Sequence, residues 1–176
     1  MSGIWSAART LRPSWDDTWL AVADAVGRRS LCDRAKIGAV IVDPRNRVVA
    51  VGYNGPPAGF DPRGGDGEPN LQLGCLHWCP RAQDAARGRR YAALMPDYTT
   101  CPALHAEANA LSVCDRSQRE GGKIYTTGDV CFDCAKLIAN SGLTEVVVRS
   151  DGGEHRNPSR SYEFLESCGV TVVVAR

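Results

Sequence analysis

The chain has 176 residues, with 21 lysine and arginine residues against 20 aspartate and glutamate residues. This length fits one compact domain, so residues 1–176 are expected to form a single domain with residues 1–12 as an N-terminal extension. The near balance of charge argues against general binding to nucleic acid or to an anionic membrane. No segment reaches the roughly 20 apolar residues of a membrane span, and the N-terminus lacks the apolar run of a signal peptide. We therefore expect a cytoplasmic protein whose eight cysteines are reduced.

Helix and strand patterns follow one another along the chain. Ser14 is a candidate N-cap for a first helix that ends near Gly27. Two β-branched runs at 37–42 and 47–53 predict a hairpin, and their near-continuous apolar character predicts burial on both faces. The later elements are, in order, a helix opening at His105, a strand at 123–127, a helix at 131–140, a strand at 144–149, a helix at 159–167 and a strand at 170–174. This order predicts an α/β fold, a three-layer α/β/α sandwich around a mixed five-stranded sheet.

Residues 58–104 lose this periodicity and are rich in glycine, proline, aspartate and arginine. Because a long irregular stretch in a compact domain is usually functional or disordered, we predict an insertion loop that is either held in place or mobile. Beyond it, Cys114 and Cys168 lie on apolar helix faces and are predicted to be small core residues. His155 lies in a polar loop and has no predicted role.

The chemistry of the sequence is concentrated at His105, Glu107, Cys131 and Cys134. One imidazole and two thiolates can hold a zinc ion and leave its fourth position open for water, as catalytic zinc sites do. The ligands open two predicted helices, whose positive N-termini favour the thiolate form that zinc needs. Glu107 is placed to move protons between the water, a ring nitrogen and the leaving amine. The pattern H-x-E followed by C-x-x-C is typical of zinc-dependent nucleobase deaminases. The alternative, a structural zinc site, requires a fourth protein ligand.

From about Leu31 to Val174 the chain resembles the cytidine and deoxycytidylate deaminase superfamily. Residues 105–110 (HAEANA) and 131–136 (CFDCAK) are similar to its two zinc motifs, and residues 32–42 and 52–57 (GYNGPP) point to the deoxycytidylate branch. The resemblance implies a cytidine deaminase-like fold and conversion of dCMP and water to dUMP and ammonia. It also implies a homo-oligomer, with a hexamer favoured, and in some members activation by dCTP and inhibition by dTTP. By the same resemblance Asn54 would contact the sugar or phosphate, with Arg34 and Lys36 as further candidates for phosphate or effector contacts.

Some members of this branch carry a second, structural zinc near the irregular segment. Its candidate ligands in this sequence are Cys75, His77, Cys79 and Cys101, and Cys32 could replace one of them. A bound metal would explain how a segment without periodicity is ordered. The alternative is that these are reduced, partly buried cysteines and an ordinary surface histidine.

The sequence departs from the family pattern at Val130, where the family usually has proline before the first cysteine. The metal ligands are intact, but the loop above the base differs, so a cytosine nucleoside or a 5-substituted cytosine nucleotide is kept as an alternative substrate. A nucleic-acid editing deaminase would call for a basic face, which the charge balance disfavours. A non-catalytic zinc-binding subunit is disfavoured because such a protein has no chemical need for Glu107.

Overall fold

The computed structural model describes residues 12–57, 59–60, 74–75, 79, 82, 101–150 and 158–175. In these ranges the elements are, in chain order, α1 (Trp15–Gly27), β1 (Gly38–Val42), β2 (Val48–Tyr53), α2 (Ala106–Ser112), α3 (Arg116–Arg119), β3 (Lys123–Thr126), α4 (Phe132–Ala139), β4 (Glu145–Arg149), α5 (Pro158–Ser167) and β5 (Thr171–Ala175). Most of the predicted insertion at 58–104, and His155, lie outside the described residues. None of the helices in the described ranges is both long and apolar enough to cross a membrane.

The five strands form one sheet in the order β2-β1-β3-β4-β5. β1 pairs antiparallel with both β2 and β3, whereas β3, β4 and β5 run parallel to one another. The parallel pairs are joined through helices, since a parallel connection needs a crossover too long for a tight turn. The predicted mixed five-stranded sheet is confirmed.

Helices cover both faces of this sheet because successive side chains along a strand point to opposite sides. On one face Val40 and Val42 of β1 pack with Leu20 and Ala23 of α1. On the other face Ala39 and Ile41 belong to a larger core that includes residues of α2, α4 and α5, namely Ala106, Ala110, Cys134, Ala135, Ile138 and Leu165. The three-layer α/β/α sandwich is therefore confirmed, and the predicted zinc motifs share one layer.

The predicted burial of the whole hairpin is wrong for its second strand. β1 is buried along its length, but β2 is the outer strand of the sheet, and Val48 and Val51 are each 42% exposed. An edge strand has a neighbour on one side only, so apolar residues there are not all covered. Cys168 was predicted to be a core residue and is instead exposed, because it follows the last turn of α5, whereas Cys114 is buried as predicted.

Two helix ends follow their sequence signals, and one short helix was not predicted. The Ser14 hydroxyl accepts from the Asp17 backbone N–H at 3.0 Å and the Asp17 carboxylate accepts in return, which is a capping box. α3 has the same arrangement between Asp115 and Gln118, and this box gave a signal for the missed helix. Gly142 ends the turn after α4 with a φ of 89°, a conformation that favours glycine.

A glycine in β2 sets how closely α2 approaches the sheet. A Cβ at Gly52 would lie 2.3 Å from the Ala106 carbonyl oxygen and 2.5 Å from the Ala110 backbone nitrogen. We expect Gly52→Ala to lower the free energy of unfolding by about 3 kcal/mol, at the upper end of overpacking costs, because backbone atoms must move. Urea denaturation measures this. Val48→Ala, a change at a position that is 42% exposed in the same strand, is the control and should cost less than about 1 kcal/mol.

Candidate active site

The structure brings His105, Cys131 and Cys134 together at the N-terminal ends of two neighbouring helices. The Nδ1 atom of His105 lies 3.3 Å from Cys131 Sγ and 3.5 Å from Cys134 Sγ. A tetrahedral zinc with bonds of about 2.0 Å to nitrogen and about 2.3 Å to sulfur would separate such atoms by about 3.5 Å. The three side chains therefore fit a shared zinc ion, and their ligand atoms all lie within 4.8 Å of one another.

Local structure explains this convergence. His105 is the N-cap residue of α2, and Cys131 is the N-cap residue of α4. The Cys131 sulfur accepts the backbone N–H of Cys134 at 3.5 Å, so the C-x-x-C spacing places both thiols on the first turn. Free backbone N–H groups and the helix dipole make both helix ends favourable for thiolates.

The two thiols differ in their ionisation. The contact with the Cys134 thiol, together with His105, lowers the pKa of Cys131 to about 4, against the opposing effect of burial. The same contact with Cys131, together with burial and the nearby Glu107 carboxylate, raises the pKa of Cys134. The contact between the two thiols therefore favours a single shared proton in the metal-free pair.

Glu107 lies beside these ligands, in the first turn of α2. Its side chain is only 3% exposed, and its Oε2 atom is 3.7 Å from Cys134 Sγ. A carboxylate in such a water-poor position interacts strongly with nearby charges and protons. The site thus combines a metal-binding group with one adjacent carboxylate, the combination that proton transfer to and from a metal-activated water requires.

The chain from residue 13 to residue 150 matches the family model described as the cytidine and deoxycytidylate deaminase zinc-binding region. This range contains all four residues of the site. The chain belongs to this family.

Known members of the deaminase family align along most of the chain. The deoxycytidylate deaminase of Mycobacterium phage D29 is 42% identical over 140 residues, which cover 77% of this chain and 94% of that protein. The human deoxycytidylate deaminase is 31% identical over 158 residues, covering 89% of this chain and 77% of the human protein. The crystal structure of apo dCMP deaminase from cyanophage S-TIM5 superposes with a TM-score of 0.63 at 24% identity, covering 94% of this chain and 100% of that one. This last likeness shows the shared fold.

The turn after β2 lies next to the zinc ligands of this deaminase-family site. Gly55 and Leu104 exchange two backbone hydrogen bonds of 3.1 Å and 2.8 Å, and Leu104 directly precedes His105. Asn54, next to Gly55, accepts the Ile37 backbone N–H through Oδ1 and donates to the Ala35 carbonyl through Nδ2, both at 2.9 Å. Within the described ranges, one amide N–H and one oxygen lone pair of Asn54 make no further hydrogen bond.

The remaining predicted contact residues, Arg34 and Lys36, belong to the segment that Asn54 holds. Both side chains are exposed. The Lys36 ammonium donates to the Ser30 carbonyl oxygen at 3.2 Å, while the backbone of the segment is fixed by the Asn54 amide. This basic pair therefore belongs to the segment that the Asn54 amide joins to the turn bordering the zinc ligands.

Two groups of this family site were not predicted from the sequence. Asn109, one turn after His105, donates from Nδ2 to the Tyr53 carbonyl at 2.6 Å and so fastens α2 to the end of β2. Asn109 interrupts a run of alanines in this helix, and that polar residue could have indicated a specific hydrogen bond from the sequence. Asp129 is 3% exposed and accepts hydrogen bonds from Ser150 and Tyr162, a connection between residues too distant in sequence to be foreseen.

Four cysteines gather at a second place in the fold. Cys75 and Cys79 are buried, and Cys32 and Cys101 pack against them. The sulfurs of Cys79 and Cys101 are 3.8 Å apart. The Asp33 backbone N–H donates to Cys75 Sγ at 3.3 Å, and the Cys79 N–H donates to the Cys75 carbonyl at 2.7 Å. His77, the predicted histidine ligand, lies outside the described residues.

Proposed function

We propose that this chain is a deoxycytidylate deaminase that converts dCMP and water to dUMP and ammonia, with one zinc held by His105, Cys131 and Cys134. The proposal rests mainly on the separations of the three ligand atoms, which match those around a shared zinc ion. The buried Glu107 carboxylate lies 3.7 Å from Cys134 Sγ. The similarity to the phage D29 enzyme along 94% of its length supports the choice of substrate.

The chain's own residues account for the proton transfers. Zinc bound at the three ligands would supply Lewis-acid activation of a water molecule. The Glu107 carboxylate takes a proton from that water and delivers it to the ring nitrogen beside the carbon under attack. Glu107 then moves the proton of the added hydroxyl group to the exocyclic amine, so that the C–N bond breaks, ammonia leaves and the oxygen remains as the carbonyl of the product. Burial of Glu107 suits this role, because a water-poor carboxylate is not diverted by exchange with bulk solvent.

Substrate contacts are proposed at the turn beside the ligands. Asn54 keeps one amide N–H and one lone pair beyond its two backbone bonds, which is enough to bind a sugar hydroxyl or a phosphate oxygen. Arg34 and Lys36 are exposed cations on the adjoining segment and suit a phosphate or an effector nucleotide. This assignment favours a nucleotide over an unphosphorylated nucleoside.

A substrate panel with purified protein tests the function. Ammonia release is followed with dCMP, CMP, deoxycytidine, 5-methyl-dCMP and an adenosine in an RNA hairpin. We expect turnover of dCMP with a clear preference over deoxycytidine. Turnover of only a nucleoside or only the methylated base would overturn the choice of substrate, and zinc-loaded protein inert on every compound would overturn the enzymatic reading.

We propose a second, structural zinc at Cys32, Cys75, Cys79 and Cys101, with His77 as an alternative ligand. Two sulfurs bound to one tetrahedral zinc lie about 3.8 Å apart, the separation of Cys79 and Cys101. The N–H bond to Cys75 Sγ is of the kind that orients metal-bound thiolates. Burial raises the pKa of Cys75 to about 12 and also raises that of Cys101, so without metal these thiols stay protonated and unreactive. Reduced thiols suit the cytoplasm, where we place the protein.

Metal analysis separates this proposal from one of ordinary buried thiols. We expect about two zinc ions per chain by elemental analysis, falling to about one in Cys79→Ser, with a lower melting temperature because structural zinc contributes folding free energy. Cys114→Ser, at a buried thiol that belongs to neither set of proposed zinc ligands, is the control and should keep two. One zinc in the unmodified chain would refute the second site.

We also propose that the chain forms a homo-oligomer, with a hexamer favoured, that responds to dCTP and dTTP. An apolar groove of about 790 Å³ between α1 and the outer strand β2 supports a self-associating face, and Ala21, Val22, Ala25, Val26 and Val51 help to line it. Light scattering measures the assembly, and Val51→Lys should weaken it if this face is used. Activity assays with each nucleotide test the effectors.

A further inference from the structure

The loop between β3 and Cys131 leads directly to a zinc ligand. It lacks the proline that the family pattern has immediately before that cysteine. Residues 127–130 are buried, and Val130 is 0% exposed. A proline at that position would fix φ near −65° by its ring. Valine fills the apolar space but leaves the backbone free to rotate. Another restraint must therefore define how the chain enters Cys131.

The side chain of Asp129 connects this loop to two other elements. Its Oδ1 atom accepts the Tyr162 hydroxyl of α5 at 2.7 Å, and its Oδ2 atom accepts the Ser150 hydroxyl, just after β4, at 2.8 Å. Hydrogen bonds to a carboxylate are stronger than neutral ones, and a buried carboxylate is stable only when it is so bonded. The loop is thus held from the side of the sheet that bears both zinc motifs.

A second anchor holds the other end of the loop. The Thr127 hydroxyl accepts the Gly38 N–H at 3.0 Å, and the Thr127 N–H donates to the Gly38 carbonyl at 3.1 Å. With Thr127 fixed on β1 and Asp129 fixed on β4 and α5, the two residues before Cys131 have little freedom. Without the second anchor, Gly128 and Val130 would let the loop move.

We infer that Asp129 is a positioning residue for the zinc site: its bonds to Tyr162 and Ser150 replace the missing proline and hold Cys131 in register with His105 and Cys134. The inference rests on the proposed function only in its activity readout, because the zinc site itself can be measured directly. Asp129 acts through the backbone that leads to Cys131.

Two conservative variants test this. Asp129→Asn keeps the size of the side chain and removes its charge, and Tyr162→Phe removes one hydrogen-bond donor. We expect each to weaken zinc binding about 10-fold in a chelator competition, the low end for groups that orient a metal ligand. The Cys131→Ser protein lacks a ligand of this site, so the zinc that it still binds measures binding elsewhere on the protein. The absorption spectrum of Co²⁺-substituted protein should shift, and kcat for dCMP should fall about 10-fold with KM changed less than 2-fold.

Tyr125→Phe is the matched control, because the Tyr125 hydroxyl donates to Asp16 Oδ1 at 2.9 Å on the opposite face of the sheet. It should lower stability by a similar amount and leave zinc affinity and the Co²⁺ spectrum unchanged. Adding Val130→Pro to Asp129→Asn should restore zinc affinity to within about 2-fold of the original. If Asp129→Asn and Tyr162→Phe behave like Tyr125→Phe, or if proline restores nothing, the inference is wrong. Failure of dCMP turnover in the unmodified chain, with these zinc effects intact, would instead contradict the proposed function alone.

Discussion

Glu107→Gln is expected to lower kcat for dCMP by about 1,000-fold while the protein keeps its zinc, within the range that general acid–base groups contribute. Glutamine has almost the same shape as glutamate, so the buried position can accept it, but its amide cannot take and return a proton. The variant also removes the negative charge that helps to raise the pKa of Cys134. That charge also attracts the zinc ion, and uptake of Zn²⁺ with loss of one proton adds net positive charge to the site, so zinc affinity should be equal or slightly lower.

The assay for this prediction pairs turnover with metal content in the same preparation. Glu120→Gln is the control, because Glu120 is an exposed carboxylate whose side chain is 61% accessible and pairs with Arg116 on the surface. It should change kcat less than 2-fold, as expected for an exposed ion pair. If Glu107→Gln kept more than a tenth of the activity with full zinc, another group would have to carry the protons.

The sequence alone was sufficient to predict which residues could bind zinc, because each of them lies in a recognisable local pattern. His105 and Cys131 begin helices, and the C-x-x-C spacing by itself places Cys134 one turn away. The order of the elements was likewise sufficient for the α/β/α sandwich, since apolar periodicity shows which faces must be covered. What periodicity does not reveal is the position of a strand within a sheet. The hairpin was apolar throughout, yet Val48 and Val51 lie on the outer edge.

Contacts between distant residues mark the other limit of sequence reasoning. Asp129 stands in a turn, where an aspartate is unremarkable, and its partners are 21 and 33 residues further along the chain. Asn54 was predicted to contact a ligand, whereas its amide already bonds the backbone at Ala35 and Ile37. Only the folded arrangement shows that this side chain shapes the segment bearing Arg34 and Lys36.

Cys134→Ser is expected to abolish turnover and to weaken zinc binding at this site by more than about 100-fold. Changes to groups that merely orient ligands cost about 10–100-fold, and this one replaces a thiolate ligand by a hydroxyl. The fold should tolerate the change, because serine is slightly smaller than cysteine and the 3% exposed site can supply a hydrogen-bond partner in Cys131 or Glu107. Cys114→Ser, a change of the same chemistry at another buried thiol, should keep zinc and activity at this site.

The ionisation of the thiol pair adds a second measurement on the unmodified protein. With the pKa of Cys131 lowered to about 4 and that of Cys134 raised by the same contact, we expect the metal-free pair to hold one proton at pH 8. Zinc requires both thiolates, so its uptake should release about one proton per ion at this site, and affinity should fall as the pH is lowered. Calorimetric titration of zinc-stripped protein in buffers of different ionisation enthalpy counts that proton, with Cys134→Ser as the reference for zinc bound elsewhere. Release of about two protons at this site would mean that Cys131 is also protonated before the metal binds, and that the two helix N-termini do not prepare a thiolate in advance.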